Sequence, residues 1–230
     1  MRPFPAAGLL VVTMAPAVAA QAPPLALSHR VNRHEGQGTA SITVEFLNGF
    51  LELIYPDSTV PVSPGLQAGA EKFRLRSAWR ENGYCPIGIV FDRTPATPAT
   101  LPFATWKVSA DWMEQGTFIE MMTPREMPKA VSLSISSHAS SARENENAAL
   151  AQDLVKGAVF LHPNGARRLT ALRVVAPSAD RFPPAASYLA AHGLVTFDTG
   201  NRWLLDVTLD NGKQGVTKDF EPELPLVIHY

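Results

Sequence analysis

Four of the six methionines in this chain fall within fifteen residues, and their side chains could bind a metal ion. They are Met113, Met121, Met122 and Met127, and they are followed by His138. Thioether and imidazole groups suit Cu(I), so the segment predicts a candidate copper site. On an extended strand, however, Met121 and Met122 would point to opposite faces, and methionine often fills irregular gaps in a core. Core packing is the competing interpretation of this cluster.

A second candidate site is a group of basic residues around Trp79. Its members are Lys72, Arg74, Arg76 and Arg80. Their alternation with Phe73 and Leu75 predicts a strand over residues 72–79 that turns its basic side chains outward. Such a surface could hold an anionic glycan or an acidic protein partner. A solvated strand face without a ligand is the alternative.

Nucleophilic catalysis has less support in the sequence. Cys85 is the only cysteine, and no histidine lies near it in the chain. The sequence has no Gly-x-Ser-x-Gly elbow, no zinc-type histidine pair and no glycine loop that opens a helix to cradle phosphate. We therefore expect Cys85 to be a buried, unreactive thiol and the protein to lack catalytic activity. A hydrolase site that is assembled only in three dimensions stays open as an alternative.

The bulk composition bounds the class of protein. Twenty basic and 21 acidic residues give a formal charge of −1, so no broad basic field indicates nucleic-acid binding. A hydrophobic content of 46% is typical of a globular protein. Because the chain has one cysteine, it forms no internal disulfide and its core must supply the stability.

The first twenty residues have the pattern of a signal peptide. Arg2 gives a short positive start, residues 6–15 are mostly apolar, and small residues precede a cut before Gln21. This pattern predicts a periplasmic or secreted protein. After removal of the leader, no run reaches the roughly 18 apolar residues that a membrane helix needs.

Short segments with alternating apolar residues predict roughly ten strands. The clearest is a hairpin of residues 40–46 and 50–55, in which Asn48-Gly49 would supply the positive φ angles of a type I′ turn. Other strands are expected at 72–79, 87–91, 105–112, 117–122, 130–136, 169–175 and 224–230. Pro222 and Pro225 favour an edge position for the last of them.

One segment, residues 141–156, is predicted to be a helix. It begins with the capping-box pattern Ser141-Ala-Arg-Glu144 and closes at Gly157. A further helical turn is expected at 185–191.

The C-terminal part of the chain predicts the fold class. Apolar residues alternate on both sides of a turn at 199–201, and they are Val195, Phe197, Trp203, Leu205 and Val207. The pattern predicts a hairpin. A side chain as large as Trp203 needs a second layer to bury it. The sequence therefore predicts an all-β fold, a β-sandwich with one helix.

The same block resembles the end of the small exported Ig-like domains of the YtkA/FixH type. The shared pattern is Gly193-x-Val195-x-Phe197, Gly200 and Trp203-x-Leu205-x-Val207, with one extra residue here before Trp203. The resemblance implies an Ig-like C-terminal lobe. Some members of that group act beside copper or haem systems, and this association is the functional implication of the resemblance.

Taken together, these patterns predict an exported β-sandwich protein that acts as a non-catalytic binding or accessory module. The expected divisions are a signal peptide at 1–20, a β domain at 21–138, a connecting helix at 139–157 and an Ig-like lobe at 158–230. One sandwich over 21–230 is the alternative. Copper handling through the methionine segment and hydrolysis are the alternative functions, and the expected partner is a protein or a glycan.

Overall fold

The structure of this chain is a computed structural model. It describes residues 25–28, 30–65, 68–109, 113, 115–123, 132–139, 162–178, 182, 185–193 and 195–230. The predicted signal peptide at 1–20 and the predicted helix at 141–156 lie outside these residues. Both stay predictions, as does the division into domains.

The first sheet comes from the part of the chain before residue 140. Its seven strands among the described residues are β1 (Asn32–His34), β2 (Thr39–Phe46), β3 (Gly49–Pro56), β4 (Ile87–Arg93), β5 (Thr105–Val108), β6 (Ile119–Met122) and β7 (Ser132–Ala139). Their order across the sheet is β1-β2-β3-β4-β7-β6-β5. The β4–β7 pair is parallel and the other pairs are antiparallel.

The second sheet comes from the part of the chain after residue 168. Its five strands are β8 (Leu169–Ala176), β9 (Val195–Thr199), β10 (Leu204–Leu209), β11 (Thr217–Asp219) and β12 (Leu226–His229). Their order is β11-β12-β10-β8-β9, with parallel pairing of β8 to β9 and of β10 to β12.

Helices are short within the residues that the structure describes. They are α1 (Ala68–Ser77), α2 (Trp79–Asn82) and α3 (Ala186–Ala191), and a 3₁₀ turn covers Asp210–Gly212. The helical turn expected at 185–191 is thereby confirmed. Among these residues no helix is both long and apolar enough to cross a bilayer.

Both sheets contribute to one hydrophobic core. Buried side chains of the first sheet include Phe46, Leu51 and Leu133, and those of the second include Val174 and Leu205. The buried residues of β8, β10 and β12 alternate with more exposed ones, as expected of strands with one face against a core. The mostly β structure confirms the predicted all-β, sandwich-like fold.

The predicted hairpin of β2 and β3 is confirmed, but its turn differs from the expected one. Phe46 pairs with Gly49, so the turn consists of Leu47 and Asn48. Neither has a positive φ, and the type I′ prediction is wrong. Gly49 is needed for another reason, since it has φ 148° and a Cβ there would clash with the carbonyl of Val90.

The predicted hairpin near the C-terminus is wrong in its pairing. β9 and β10 exist, but β8 lies between them, so that Val174 pairs with Phe197 on one side and Leu205 on the other. Gly200 begins the crossing over the end of β8, where its N–H donates to the carbonyl of Ala176. Alternation shows which face of a strand is buried, but not which strand lies beside it.

Two further predictions about strands are wrong. Residues 72–77 belong to α1 and Trp79 begins α2, so the strand predicted over 72–79 is wrong. Two alternating apolar residues, Phe73 and Leu75, are too few to distinguish a period of two from a helical one. The last strand, β12, is not at an edge, because β11 pairs with it on its outer side. Pro225 precedes β12 and so removes no hydrogen bond from its ladder.

Candidate functional site

A groove of about 590 Å³ lies between α2 and one end of the second sheet. Its walls come from four parts of the chain: α2 with the loop after it, the end of β8, the crossing from β9 to β10, and the segment before β12. The residues that line it are Trp79, Arg80, Asn82, Gly83, Tyr84, Pro177, Asn201, Arg202, Trp203, Glu221, Pro222 and Pro225. Aromatic rings, proline rings and two guanidinium groups thus dominate this surface.

The end of α2 fixes one wall of the groove. Gly83 ends the helix in a left-handed conformation, with φ 71° and ψ 23°, and its N–H donates to the carbonyl of Trp79. The carbonyl of Gly83 then accepts a hydrogen bond of 3.0 Å from the indole Nε1 of Trp203. Because Trp203 precedes β10, this bond attaches α2 to the second sheet.

Arg80 makes the second attachment. Its guanidinium lies over the ring of Trp79, 4.3 Å from the centroid, and its Nη2 donates to the carbonyl of Glu223 at 2.6 Å. The two residues of that hydrogen bond are 143 positions apart in the chain. Among the described residues, no carboxylate forms an ion pair with Arg80. Its charge is therefore held in place by an aromatic ring and a neutral acceptor.

The remaining polar groups of the groove differ in how far they are already used. Arg202 Nη2 donates to Glu221 Oε2 at 2.7 Å. The Asn82 amide is used on both sides, since its Nδ2 donates to the carbonyl of Leu75 and its Oδ1 accepts from the N–H of Tyr84. Asn201 is exposed and forms no hydrogen bond with the described residues. The groove therefore has more uncommitted donors than uncommitted acceptors.

A separate set of polar side chains is buried under α1. Arg76 is fully buried, and its guanidinium donates to the carbonyls of Cys85 and Pro86 at 3.3 and 3.1 Å. It also pairs with Glu52, with 3.3 Å between Nη1 and Oε2. The other oxygen of Glu52 lies 3.9 Å from Nε2 of His34. We call His34, Glu52, Lys72 and Arg76 the buried polar cluster.

Burial strongly perturbs the titration of this cluster. It lowers the pKa of Lys72 to about 7, with a further lowering by the positive charge of Arg76. The pKa of His34 is also lowered by burial, although the charge of Glu52 opposes the shift. His34 makes hydrogen-bond contacts with Thr39 and Ser41 at 2.9 and 3.2 Å. These contacts indicate a neutral imidazole that is fixed in the sheet.

Cys85 lies next to the buried polar cluster. Its thiol is fully buried, as expected from the sequence, and burial raises its pKa to about 11. A thiol with that pKa is protonated at neutral pH and is a poor nucleophile.

The outer face of the second sheet carries a chain of polar contacts that crosses all five strands. Thr217 Oγ1 is 2.9 Å from Nδ1 of His229, whose Nε2 is 2.8 Å from Asp206. Asp206 lies 3.9 Å from Arg173, which also pairs with Asp198. A hydroxyl, an imidazole and a carboxylate in sequence have the order of a catalytic triad. They lie on the face of the sheet opposite the core, and none of them lines the groove.

The basic residues predicted as an anion-binding or partner-binding stripe do not share one surface. Lys72 and Arg76 are buried, one turn apart on α1. Arg74 is exposed and pairs with Glu71. Only Arg80 lines the groove. Anion or partner binding by these residues stays a prediction, and the structure brings Arg80 alone to a concave surface.

The predicted copper segment is only partly within the described residues. Met121 and Met122 are buried at neighbouring positions of β6, and their side chains therefore point to opposite faces of the sheet. Met127 lies outside the described residues, His138 is described only as part of the backbone of β7, and Met113 is half-buried. In the described ranges, no group of three or more His, Cys, Asp or Glu side chains is arranged to hold a metal ion. Copper binding stays a prediction.

No protein-family model, curated protein or solved structure matches this chain. The resemblance to exported Ig-like domains of the YtkA/FixH type therefore stays a prediction.

Proposed function

We propose that this protein is a non-catalytic binding module and that the groove beside α2 is its binding site. The observation that carries the proposal is the attachment of α2 to the second sheet by Trp203 and Arg80, one hydrogen bond each. These bonds hold half-buried aromatic rings and exposed guanidinium groups in a concave surface before any ligand arrives. A preformed site of this kind loses less conformational freedom on binding.

The composition of the groove supports binding. Tryptophan, tyrosine and arginine are the side chains that most often carry the binding energy of an interface. Two of the four tryptophans in the chain, Trp79 and Trp203, line this one surface together with Tyr84 and two arginines. Glu221 is the one carboxylate in the lining, and it is paired with Arg202. The groove therefore offers surfaces for contact rather than a nucleophile with its base.

An array of oligosaccharides and synthetic peptides tests this function. The purified protein is compared with the variants Trp79→Ala and Asn201→Ala, and with Arg173→Gln on the outer face of the second sheet as the control. We expect at least one class of ligand to bind the protein and the control equally, and to lose binding in both groove variants. Circular dichroism of each variant checks that it is folded. If no ligand on the array loses binding in the two groove variants, the proposal is contradicted.

Export is the second part of the proposal. It is supported by the leader pattern of residues 1–20, which ends in small residues before Gln21. Fractionation of the source cells, followed by N-terminal sequencing, should find the protein outside the cytoplasm with Gln21 as its first residue. A cytosolic product that still begins at Met1 would contradict export.

The outer face of the second sheet favours one alternative, a hydrolase. Thr217, His229 and Asp206 have the contacts of a nucleophile, a base and an orienting acid. Turnover of p-nitrophenyl acetate by the purified protein, abolished in His229→Ala and in Thr217→Val, would support this alternative. Turnover that is absent, or that is unchanged in both variants, would remove it.

A further inference from the structure

We infer that the groove binds an extended, proline-rich segment of a partner protein that carries an acidic residue. This inference rests on the proposed function and names the ligand class. Three properties of the lining support it: its rings, its excess of hydrogen-bond donors and its uncompensated positive charge.

The ring composition of the groove suits a polyproline II segment. The half-buried rings of Trp79 and Tyr84 and the mostly buried ring of Trp203 line it, together with three prolines. Proline-rich segments adopt the polyproline II conformation before they bind, and they dock in grooves that are lined by aromatic side chains. Little conformational entropy is lost on such binding, because neither the groove nor the segment has to become ordered.

The hydrogen-bonding groups of the groove match the backbone of such a segment. A polyproline II segment has no internal hydrogen bonds, so its carbonyls are free acceptors, and its prolines have no N–H to donate. Asn201 and the unused N–H groups of Arg80 and Arg202 are the donors that this backbone needs. Few acceptors are required, and the groove has few to offer.

The charge of the groove specifies the acidic residue. Glu221 compensates Arg202, whereas no carboxylate in the described part of the chain pairs with Arg80. The stacking of Arg80 on Trp79 fixes the plane of the guanidinium, and a planar fork binds a carboxylate through two parallel hydrogen bonds. A glutamate or aspartate between the prolines of the ligand would complete this pair.

A glycan is the competing occupant, and the acceptors of the groove argue against it. Sugar hydroxyls donate hydrogen bonds as well as accept them, and they need carboxylate or amide oxygens on the protein. The Asn82 amide is already used on both sides, and Glu221 is paired with Arg202. Asn201 Oδ1 and Glu221 Oε1 are the side-chain oxygens of the groove without a hydrogen bond in the described structure, which is few for a ring of hydroxyls, and a proline-rich backbone has no such requirement.

Fluorescence anisotropy with labelled nine-residue peptides tests the inference. The probe alternates Pro-Pro with Glu, a second peptide has Gln in place of each Glu, and a third has Gly in place of each Pro. We expect the purified protein to bind the probe about tenfold more tightly than the Gln peptide, and to bind the Gly peptide more weakly still.

Two matched arginine variants complete the experiment. Arg80→Gln should remove the tenfold preference for Glu over Gln, while Arg74→Gln, an exposed arginine outside the groove, should keep it. Equal binding of the Glu and Gln peptides by the unaltered protein, or a preference that survives Arg80→Gln, would overturn the inference.

A uronic-acid oligosaccharide and its neutral counterpart form the last arm. Binding of either sugar that is lost in Asn201→Ala, without peptide binding, would overturn the peptide inference and leave the groove as the binding site. If neither the sugars nor the peptides bind, both the inference and the proposed function fail.

Discussion

The buried polar cluster and the groove both take basic side chains from residues 72–80, yet they use them in opposite ways. Arg76 is fully buried and donates to Glu52 and to two backbone carbonyls. Arg80, one turn further along, is exposed, lies on Trp79 and has no carboxylate partner among the described residues. A charge enclosed by its own chain stabilises or destabilises the fold, whereas a charge held at the surface is available to a ligand.

The difference arises from burial rather than from residue type. Removing a charge from water carries a desolvation penalty, which a buried group offsets only through several well-placed partners. Arg76 has such partners, and burial lowers the pKa of Lys72 to about 7. Arg80 avoids most of the penalty because it remains in contact with solvent. The comparison predicts large effects on stability under α1 and small ones at the groove.

The largest effect is expected for Arg76→Ala. The variant leaves the carboxylate of Glu52 and the carbonyls of Cys85 and Pro86 without their donor, and removal of one partner of a buried pair costs about 3–5 kcal/mol. Urea unfolding measures the loss. The matched variant Arg74→Ala removes an exposed pair and should cost less than about 1 kcal/mol. Equal losses in the two variants would contradict the contrast.

Lys72 should make stability depend on pH. Below about pH 7 the amine is protonated in both the folded and the unfolded state, and the full penalty of its burial is present. As the pH rises from about 7 toward 10.5, the folded state has released the proton while the unfolded state retains it, so the free energy of unfolding should increase, by roughly 3–5 kcal/mol in all. Urea unfolding at a series of pH values from about 6 to 9 measures the first part of this rise. Lys72→Met should abolish it, and a rise that persists in the variant would show that another group is responsible.

Cys85 should produce the opposite slope at higher pH. Its thiol has a pKa of about 11 in the folded state against 9.0 in the unfolded state. Between these values only the unfolded thiol ionises, so the contribution of Cys85 to stability should fall by roughly 3 kcal/mol, opposed up to pH 10.5 by the rise from Lys72. The Cys85→Ala variant should lack this part of the pH dependence. Urea unfolding of the unaltered protein and of Cys85→Ala at alkaline pH measures this difference.

The smallest effect is expected at the groove, for Trp203→Phe. This variant loses the hydrogen bond from the indole to the carbonyl of Gly83, which should cost about 1 kcal/mol beyond the cost of the volume that the smaller ring leaves unfilled in the core. Trp106→Phe is a matched control, because the Nε1 of Trp106 is buried without a partner in the described structure. Removing that N–H should be neutral or stabilising. Thermal unfolding measures the stability of both variants. A greater loss of stability in Trp106→Phe than in Trp203→Phe would contradict the role given to the Trp203 hydrogen bond.

Local patterns predicted much of the fold but not how its parts meet. The β2–β3 hairpin follows from alternation over neighbouring residues, and it is confirmed. The pairing of β9 and β10 was wrong because β8, which separates them, lies more than twenty residues earlier in the chain. The strand predicted over residues 72–79 is wrong, because two apolar positions are too few to fix a period.

The groove was not predicted because its walls are far apart in sequence. Trp79 and Trp203 are separated by more than a hundred residues, and no spacing rule connects them. The available signals were weak: Trp79 beside Arg80, and the helix-ending Gly83 just after them. The sequence predicts Arg80 as one member of a basic stripe beside Trp79, whereas the structure places it on α2, apart from Lys72, Arg74 and Arg76 on α1.

The central claim, that the groove is the ligand site, is tested most directly by NMR. The purified protein is titrated with the Pro-Pro-Glu peptide while the four tryptophan indole N–H resonances are followed. We predict that the signals of Trp79 and Trp203 shift with a saturable dependence on peptide, while that of Trp106 on β5 does not move. Shifts confined to Trp106, or no shift of any indole at millimolar peptide, would contradict this account.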